Sequence, residues 1–108
     1  MCGRDDVVVG TVEMIVVALC ADYDRRSKAI SERSVNHRTE MEYRYLNFKL
    51  LEGAEEIVGE YDAPMMIEDI GIRRGYAKSD LYYYSEKSYK MKKQQIKNNI
   101  ARKLHLID

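Results

Sequence analysis

The sequence predicts an all-α protein, a small bundle of three to five helices that ends in a helix-turn-helix-like unit. Turn-forming residues are few, because Pro occurs only at position 64 and Gly at 6 positions. A chain built of strands needs such residues about every 8–12 positions. Apolar residues instead recur at helical spacing along most of the chain. At 108 residues the chain has the usual size of one domain, so we expect a single domain over residues 1–108.

The first element is predicted to be a helix that continues as a polar helix to Lys28. Its apolar residues recur at steps of three and four on one face of a helical wheel: Val9, Val12, Val16, Leu19 and Tyr23. The alternative is a strand, because the runs Val-Val-Val and Ile-Val-Val are β-branched.

The apolar run from Val7 to Ala21 is too short for a membrane span, which needs about 20 residues, and Gly10 and Glu13 interrupt it. It also lacks the basic start and the cleavage site of a secretory signal. Cys2 and Cys20 lie far apart in the sequence, which does not suggest a disulfide framework. We therefore expect no membrane partner, free thiols and a cytoplasmic protein.

A second helix is predicted to begin at Thr39, because Thr39 and Glu42 have the spacing of a capping box. Its apolar face is formed by Tyr43, Leu46, Leu50, Ala54 and Ile57. Gly59, followed by Pro64, is predicted to end this helix.

A third, short helix is predicted from Pro64 through Met65, Met66, Ile67 and Ile70, with Arg73 and Arg74 near its end and Gly75 as its C-terminal cap. Residues 76–84 form a connector with no clear periodicity. Within it, Ser79 is placed to cap a further short turn of helix.

The last helix is predicted to begin after Ser85, whose hydroxyl is placed to accept a backbone N–H of the first turn. Tyr84 and Tyr89 occupy the two positions of a hydrophobic staple. The apolar stripe of this helix is formed by Tyr89, Ile96, Ile100, Leu104 and Ile107. Four cations are predicted to point away from the stripe: Lys87, Lys90, Lys97 and Arg102.

Charge is distributed unevenly, although 18 basic and 18 acidic residues cancel overall. Residues 1–69 hold 8 Lys/Arg and 15 Asp/Glu, hence −7, and residues 70–108 hold 10 and 3, hence +7. A basic C-terminal region suits a polyanion such as a nucleic acid. The alternative is that the acidic half attracts the basic half of a second copy.

A short helix, a glycine turn, a connector and a basic capped helix follow one another in the order of a helix-turn-helix, whose second helix enters the major groove. If this helix docks on DNA, its first residues lie nearest to bases or phosphates: Ser85, Glu86, Lys87, Tyr89 and Lys90. Five further cations are placed to hold the DNA backbone: Arg73, Arg74, Lys78, Lys93 and Lys97. Tyr89 suits the staple better than a base contact. The alternative is a bundle helix with a solvated lysine face.

Three consecutive tyrosines, Tyr82, Tyr83 and Tyr84, offer rings that can stack on single-stranded bases. Tyrosines beside lysines are equally typical of a wet dimer interface or of the edge of a core. The second interpretation is the preferred one.

Residues for catalysis are scarce. His37 and His105 are isolated, and neither cysteine has a partner at metal-ligand spacing. No glycine-rich phosphate loop is present in the sequence. The adjacent carboxylates Glu55 and Glu56, like Glu68 and Asp69, are expected on solvated faces. We therefore expect no enzyme, no catalytic residue, no metal and no cofactor.

The C-terminal third resembles a known class of regulators. The residues that carry the resemblance are Gly75-Tyr76-Ala77-Lys78-Ser79, Ser85-Glu86-Lys87-Ser88-Tyr89-Lys90-Met91-Lys92-Lys93, Ile96 and Ile100-Ala101-Arg102-Lys103-Leu104. They resemble the C-terminal region of small phage and prophage transcription regulators of the RinA/ArpU type, which carry a sigma-factor-like helix-turn-helix. The resemblance implies that the helix from Ser85 binds DNA, with a recognition segment formed by Ser85, Ser88, Tyr89, Lys90, Lys92 and Lys93.

The resemblance also implies binding partners and separate roles for the two parts of the chain. Duplex DNA is the expected partner, and RNA polymerase is a second one. Residues 1–60 would form a helical support or dimerisation module, and residues 64–108 the helix-turn-helix-like basic region. The competing hypothesis is a helical interaction protein without a nucleic-acid role, which self-associates through an exposed apolar stripe on residues 7–23. A homodimer is compatible with both.

Overall fold

The computed structural model describes residues 10–107, and its regular elements are all helical. Four α-helices follow one another: α1 (Gly10–Ala21), α2 (Tyr23–Glu32), α3 (His37–Gly71) and α4 (Glu86–Lys103). A single 3₁₀ turn, Tyr76–Lys78, lies between α3 and α4. No strand occurs among the described residues, and the prediction of an all-α protein is confirmed.

The first predicted helix forms, but it is divided in two at Asp22. Asp22 (φ −97°, ψ 3°) lies between α1 and α2 outside helical geometry. The predicted apolar face is covered, because Val16 is fully buried and Val12, Leu19 and Tyr23 pack around it; Val9 lies outside the described residues. From residue 10 to residue 23, the stripe proposed for self-association is therefore part of the core. The apolar residues that α1 does expose, such as Met14, lie on its other side.

A buried charge holds α2 against α3. The Arg26 guanidinium, only 2% exposed, donates from Nε to Asn47 Oδ1 at 2.7 Å and from Nη2 to the Leu19 carbonyl at 2.5 Å. The Asn47 amide in turn donates to Ser27 Oγ and to the Tyr23 carbonyl. We call these groups the Arg26 network. Because every buried polar group in it has a partner, the charge is tolerated inside the fold.

The long helix α3 begins earlier than predicted. Asn36, not Thr39, is the N-cap, and its side-chain oxygen accepts the Thr39 N–H at 2.9 Å. The prediction of a capping box formed by Thr39 and Glu42 was wrong, because Thr39 already lies inside the first turn of the helix. An upstream Asn satisfies the same free amides equally well.

A glycine breaks α3 where the sequence indicated a stop. Gly59 adopts φ 85° and ψ 164°, a conformation that only Gly takes easily, and helix resumes at Glu60. The segment after the break therefore begins before Pro64, the predicted start. Pro64 leaves only the carbonyl of Glu60 without its helical partner, which is tolerable directly after a break.

The C-terminus of α3 was predicted wrongly. The helix ends at Gly71, and Arg73 (φ 57°) takes the left-handed conformation, with the Arg74 N–H donating to the Asp69 carbonyl at 2.8 Å. Gly75 has φ −85° and is not the cap. Ser79 does not cap a helix either, because it follows the 3₁₀ turn.

The predicted order of helices is present, but α3 and α4 are separated by residues 72–85. A standard helix-turn-helix turn has only about 3–4 residues. Here the Tyr76 hydroxyl closes the longer segment by donating to the Tyr84 carbonyl at 2.6 Å. The connector is thus held to the start of α4 by its own side chain.

The helices share one apolar core. Its fully buried members come from α1, α3, the connector and α4 and include Val16, Leu50, Met66, Leu81, Ile96 and Ile100. α4 crosses α3 at Gly53, where an added Cβ would lie 2.7 Å from Ile100 Cγ1. A side chain at this position would push α4 away from α3.

Candidate nucleic-acid interface

The start of α4 has the predicted cap. Ser85 Oγ accepts the Ser88 N–H at 3.1 Å, which satisfies one of the free amides of the first turn. Glu86 and Lys90 form an exposed ion pair of 2.9 Å on the helix surface. The Lys87 side chain beside them is exposed and has no partner within residues 10–107.

A second buried charge fixes this start to α3. The Asp69 carboxylate, 1% exposed, accepts hydrogen bonds from Ser79 Oγ at 2.5 Å, Tyr89 Oη at 2.8 Å and Arg74 Nη1 at 3.2 Å. We call these residues the Asp69 network. Burial, together with the hydrogen bond to Asp69, raises the pKa of Tyr89 to about 12. The network joins the end of α3, the connector and the second turn of α4.

The Asp69 network corrects two expectations. Asp69 does not lie on a solvated face; only its neighbour Glu68 is exposed. Tyr89 is buried and cannot reach a base in this conformation. Its ring lies 5.4 Å from that of Tyr76. Tyr89 therefore serves packing, in agreement with the preference for a structural role.

Two lysines of α4 face the protein and not the solvent. Lys97 is 14% exposed and pairs with Glu13 of α1 at 2.6 Å, so the prediction that it points away from the apolar stripe was wrong. Lys93 Nζ donates to the Arg74 carbonyl at 2.5 Å and lies 5.1 Å from the centroid of the Tyr89 ring. At about 100° per residue, Lys93 falls between Ile100 and Leu104 on the apolar stripe and Lys97 falls at its edge, so the wheel does indicate that both face the protein. Their partners depend on where α1 and the end of α3 lie.

The predicted backbone-holding cations come together in part. Arg73, Arg74, Lys93 and Lys97 line one cleft of about 190 Å³ between α1, the end of α3 and α4. We call it the basic cleft. Lys78 lies on the 3₁₀ turn, exposed, and is not among the lining residues.

The remaining residues predicted to contact DNA differ in whether their side chains already have partners within the protein. Lys87, Lys92, Arg73 and Lys78 have no side-chain partner in the described part of the chain. Ser85, Ser88 and Glu86 are engaged in the cap and the first-turn ion pair. Lys90 shares that ion pair but remains exposed.

The outward side of α4 carries further groups that the sequence analysis did not select as a site. We define the outer face of α4 by six residues on one side of the helix, of which only Gln94 is half-buried: Lys87, Lys90, Met91, Gln94, Gln95 and Arg102. The buried Asn98, which accepts a hydrogen bond from Gln94, interrupts this face before Arg102. The C-terminal part of the outer face borders a groove of about 670 Å³ beside Ile57 of α3. On a helical wheel Met91, Gln95 and Arg102 lie opposite the apolar stripe, so the sequence alone could have identified them as part of an exposed face.

Charges of the two halves of the chain meet inside the fold. Lys103 pairs with Glu56 of α3 at 2.8 Å, and Arg74 pairs with Glu68 at 3.3 Å. With the pair between Lys97 and Glu13, these contacts neutralise part of the basic region. Five cations of the basic region keep no side-chain partner in the described residues: Arg73, Lys78, Lys87, Lys92 and Arg102.

The consecutive tyrosines are used mainly within the protein. Tyr83 Oη and Tyr84 Oη donate to the two oxygens of Asp62, at 2.5 and 2.7 Å. The bond to Asp62 raises the pKa of Tyr83, and burial raises that of Tyr84 to about 12. Only Tyr82, 75% exposed, presents a ring without such a constraint. This arrangement agrees with the preferred interpretation as a core edge.

The described residues offer little for other chemistry. No group of three or more His, Cys, Asp or Glu side chains that could hold a metal occurs among them. Cys20 is a free, buried thiol, and burial raises its pKa to about 12; Cys2 lies outside the described residues. Between residues 10 and 107, no helix is both long and apolar enough to cross a membrane.

Comparison with protein-family models, with curated proteins and with solved structures gives no match to this chain. The resemblance to RinA/ArpU-type regulators therefore stays a prediction that rests on the C-terminal residues.

Proposed function

We propose that the protein binds duplex DNA through the outer face of α4 and acts as a transcription regulator of the phage type. The observation that carries the proposal is the exposed outer face itself. It begins at a capped helix N-terminus and carries free or accessible cations together with amide side chains.

The side chains of the outer face suit the edges of bases. Amides such as Gln94 and Gln95 can bind adenine, and Lys87 or Arg102 can bind guanine. Met91, 51% exposed, supplies an apolar contact for a thymine methyl group. An α-helix of this kind fits the major groove with its N-terminal turns first.

Cations around the start of α4 supply the contacts to phosphate. Lys90 lies on the outer face, and Lys78 lies on the connector that precedes it. Phosphate contacts dominate affinity and make it depend on salt. Lys103 and Arg74 contribute less, because carboxylates of α3 already neutralise them.

The test is a fluorescence anisotropy titration of the full chain on a duplex at two salt concentrations. With about four phosphate contacts, affinity falls about a hundredfold for a fourfold rise in salt. A single strand of the same sequence serves as the comparison. If neither duplex nor single strand binds at low salt, the proposal is wrong.

A second candidate is a helical interaction protein that self-associates, with no nucleic-acid role. The observation in its favour is an exposed apolar stripe on the first half of α3: Met41, Tyr45 and Phe48 are 53%, 49% and 59% exposed. Sedimentation of the wild type and of Tyr45→Glu with Phe48→Glu tests it. An oligomer that the double substitution dissociates, in a protein without DNA affinity, supports this second candidate.

A further inference from the structure

The basic cleft lies on a different side of α4 from the outer face, and its charges are not fully compensated. Val17 and Ile70 form its apolar wall, and four cations, one carboxylate and Gly75 complete the lining. The volume of about 190 Å³ exceeds the ~10–15 Å³ that a single water needs. The cleft thus has room for a small polar ligand.

Two of the four cations already have acidic partners. Lys97 pairs with Glu13 at 2.6 Å, and Arg74 pairs with Asp69 and Glu68. Arg73 has no partner among residues 10–107, although it lies at the entrance side of the same cleft as an exposed residue. The cleft therefore retains positive charge that the protein does not neutralise.

Lys93 is the more informative of the two uncompensated cations. Its ammonium group is half-buried, and its hydrogen bond goes to a neutral carbonyl, that of Arg74. Burial lowers the pKa of Lys93, because removing water disfavours the charged form. An ammonium has three N–H donors, and this bond uses one of them. A desolvated cation that lacks a direct carboxylate partner gains most from a bound anion.

We propose that the basic cleft binds an oxyanion of the phosphate class, held by Arg73 and Lys93. Gly75 also lines the cleft, and its N–H makes no hydrogen bond within the described residues. A planar guanidinium, an ammonium and a backbone N–H together are the donor types that bind phosphate in proteins. The phosphate belongs either to the DNA backbone or to a small phosphorylated molecule.

The proposal does not require that the outer face of α4 binds DNA. Its first test uses inorganic phosphate alone, with the full chain followed by NMR of the Gly75 amide and the Lys93 side chain. Chloride at matched ionic strength is the control. Saturable shifts of both groups with phosphate but not with chloride are expected. Shifts that do not saturate, or that chloride reproduces, overturn the proposal.

A matched pair of variants separates binding from folding. Arg73 and Arg33 are both exposed arginines in the left-handed conformation, with φ 57° and 53°, and both follow the end of a helix. Arg73→Gly and Arg33→Gly each remove one charge and relieve the same backbone strain. Arg73→Gly is expected to weaken phosphate binding about tenfold, since a hydrogen bond to a charged group is lost. Equal phosphate affinity in both variants overturns the proposal.

A gain of affinity provides a test in the opposite direction. Glu13 is the carboxylate that lines the cleft, and Glu13→Gln would free Lys97 to bind the anion. Phosphate affinity is expected to rise severalfold, because one negative charge is removed and one cation is released. A structural role of the pair between Lys97 and Glu13 alone would give no such increase, and an unchanged or lower affinity contradicts the proposal.

The same variants identify the source of the phosphate. If Arg73→Gly weakens binding of both inorganic phosphate and duplex DNA, the cleft holds a phosphate of the DNA backbone. If it weakens inorganic phosphate only, the ligand is a small phosphorylated molecule. DNA binding that fails altogether, with phosphate binding intact, rejects the function proposed for α4 and leaves the cleft proposal standing.

Discussion

The two most deeply buried charged residues of the described chain, Arg26 and Asp69, differ in what surrounds them. Arg26 is enclosed by an amide and a backbone carbonyl, with Asp22 at its margin 3.3 Å away. Asp69 is enclosed by two hydroxyl groups and by Arg74, which itself lines the basic cleft. The Arg26 network reaches the surface at Asp22, which also pairs with the exposed Arg25, whereas the Asp69 network continues through Arg74 into the basic cleft.

This difference predicts that only the Asp69 network affects ligand binding, because it alone includes a residue of the basic cleft. Loss of Arg26 is expected to affect only the attachment of α2 to α3. Loss of Asp69 is expected to release the start of α4 and Arg74 together, because both depend on the same carboxylate. Stability and binding should therefore be linked in the C-terminal half and independent in the N-terminal half.

The largest effect is expected for Asp69→Ala. Removal of the buried carboxylate leaves Arg74, Tyr89 and Ser79 without their common acceptor, and should lower the free energy of unfolding by about 3–5 kcal/mol. Chemical denaturation measures it. Asp80→Ala, which removes an exposed carboxylate from the same connector, is the control and should change stability by less than about 0.5 kcal/mol. Similar losses in the two variants would contradict the role given to Asp69.

Arg26→Met should lower the free energy of unfolding by about 2–3 kcal/mol, since Asn47 Oδ1 and the Leu19 carbonyl lose their donor. DNA and phosphate affinity should stay at the wild-type level at temperatures where the variant is folded. The neighbouring Arg25→Met, which removes an exposed cation, should lower the free energy of unfolding much less than Arg26→Met, because solvent screens its ion pair with Asp22. A change in DNA affinity with Arg26→Met would contradict the expectation that stability and binding are independent in the N-terminal half.

Gly59→Ala tests the break between the half of α3 that carries Asn47 and the half that carries Asp69. A Cβ at φ 85° and ψ 164° should cost about 1–3 kcal/mol in stability, although no atom lies near enough to clash. Thermal melting compares it with Gly75→Ala, where φ is −85° and the space is open. Equal melting temperatures of the two variants would mean that the fold does not depend on the positive φ of residue 59.

The smallest difference between variants is expected at high pH, where several buried groups share the loss of stability, because burial also raises the pKa values of Cys20 and Tyr23 in the N-terminal half. The folded pKa values of Tyr84 and Tyr89, about 12, lie above the usual value of 10. Their contribution to stability is therefore complete below pH 10 and is lost as the pH rises through about 12. Melting as a function of pH measures the loss. Tyr89→Phe should reduce it, whereas Tyr45→Phe should leave it unchanged; the reverse result would contradict the assignment.

The local features of the sequence predicted the fold well. The cap at Ser85, the break at Gly59 and the buried faces of α1 and α4 all depend on residues within one or two turns of each other. The N-cap of α3 was missed, because Asn36 and Thr39 offer equivalent hydroxyl or amide chemistry three residues apart. The C-terminus was missed because an arginine, Arg73, took the conformation expected of Gly75.

The candidate site could be predicted only in part. Helical spacing located the exposed Lys87 and Lys90 correctly, since their environment is the solvent. It places Lys97 at the edge of the apolar stripe, about 20° from Leu104, but it could not predict the partner Glu13, which is distant in the sequence. Burial of Asp69 likewise depends on a connector that has no periodic pattern. Contacts between distant segments, and not local propensity, decide which charges remain available for a ligand.

The most direct test of DNA binding by the outer face compares two double charge reversals by anisotropy on one duplex. Lys87→Glu with Lys90→Glu changes the outer face, and Lys28→Glu with Arg38→Glu makes the same change in net charge at exposed residues of α2 and α3. Both variants should melt like the wild type. Only the first should lose DNA binding, by at least about a hundredfold at low salt. Equal losses in both variants would show that net charge, and not the outer face of α4, is responsible for binding.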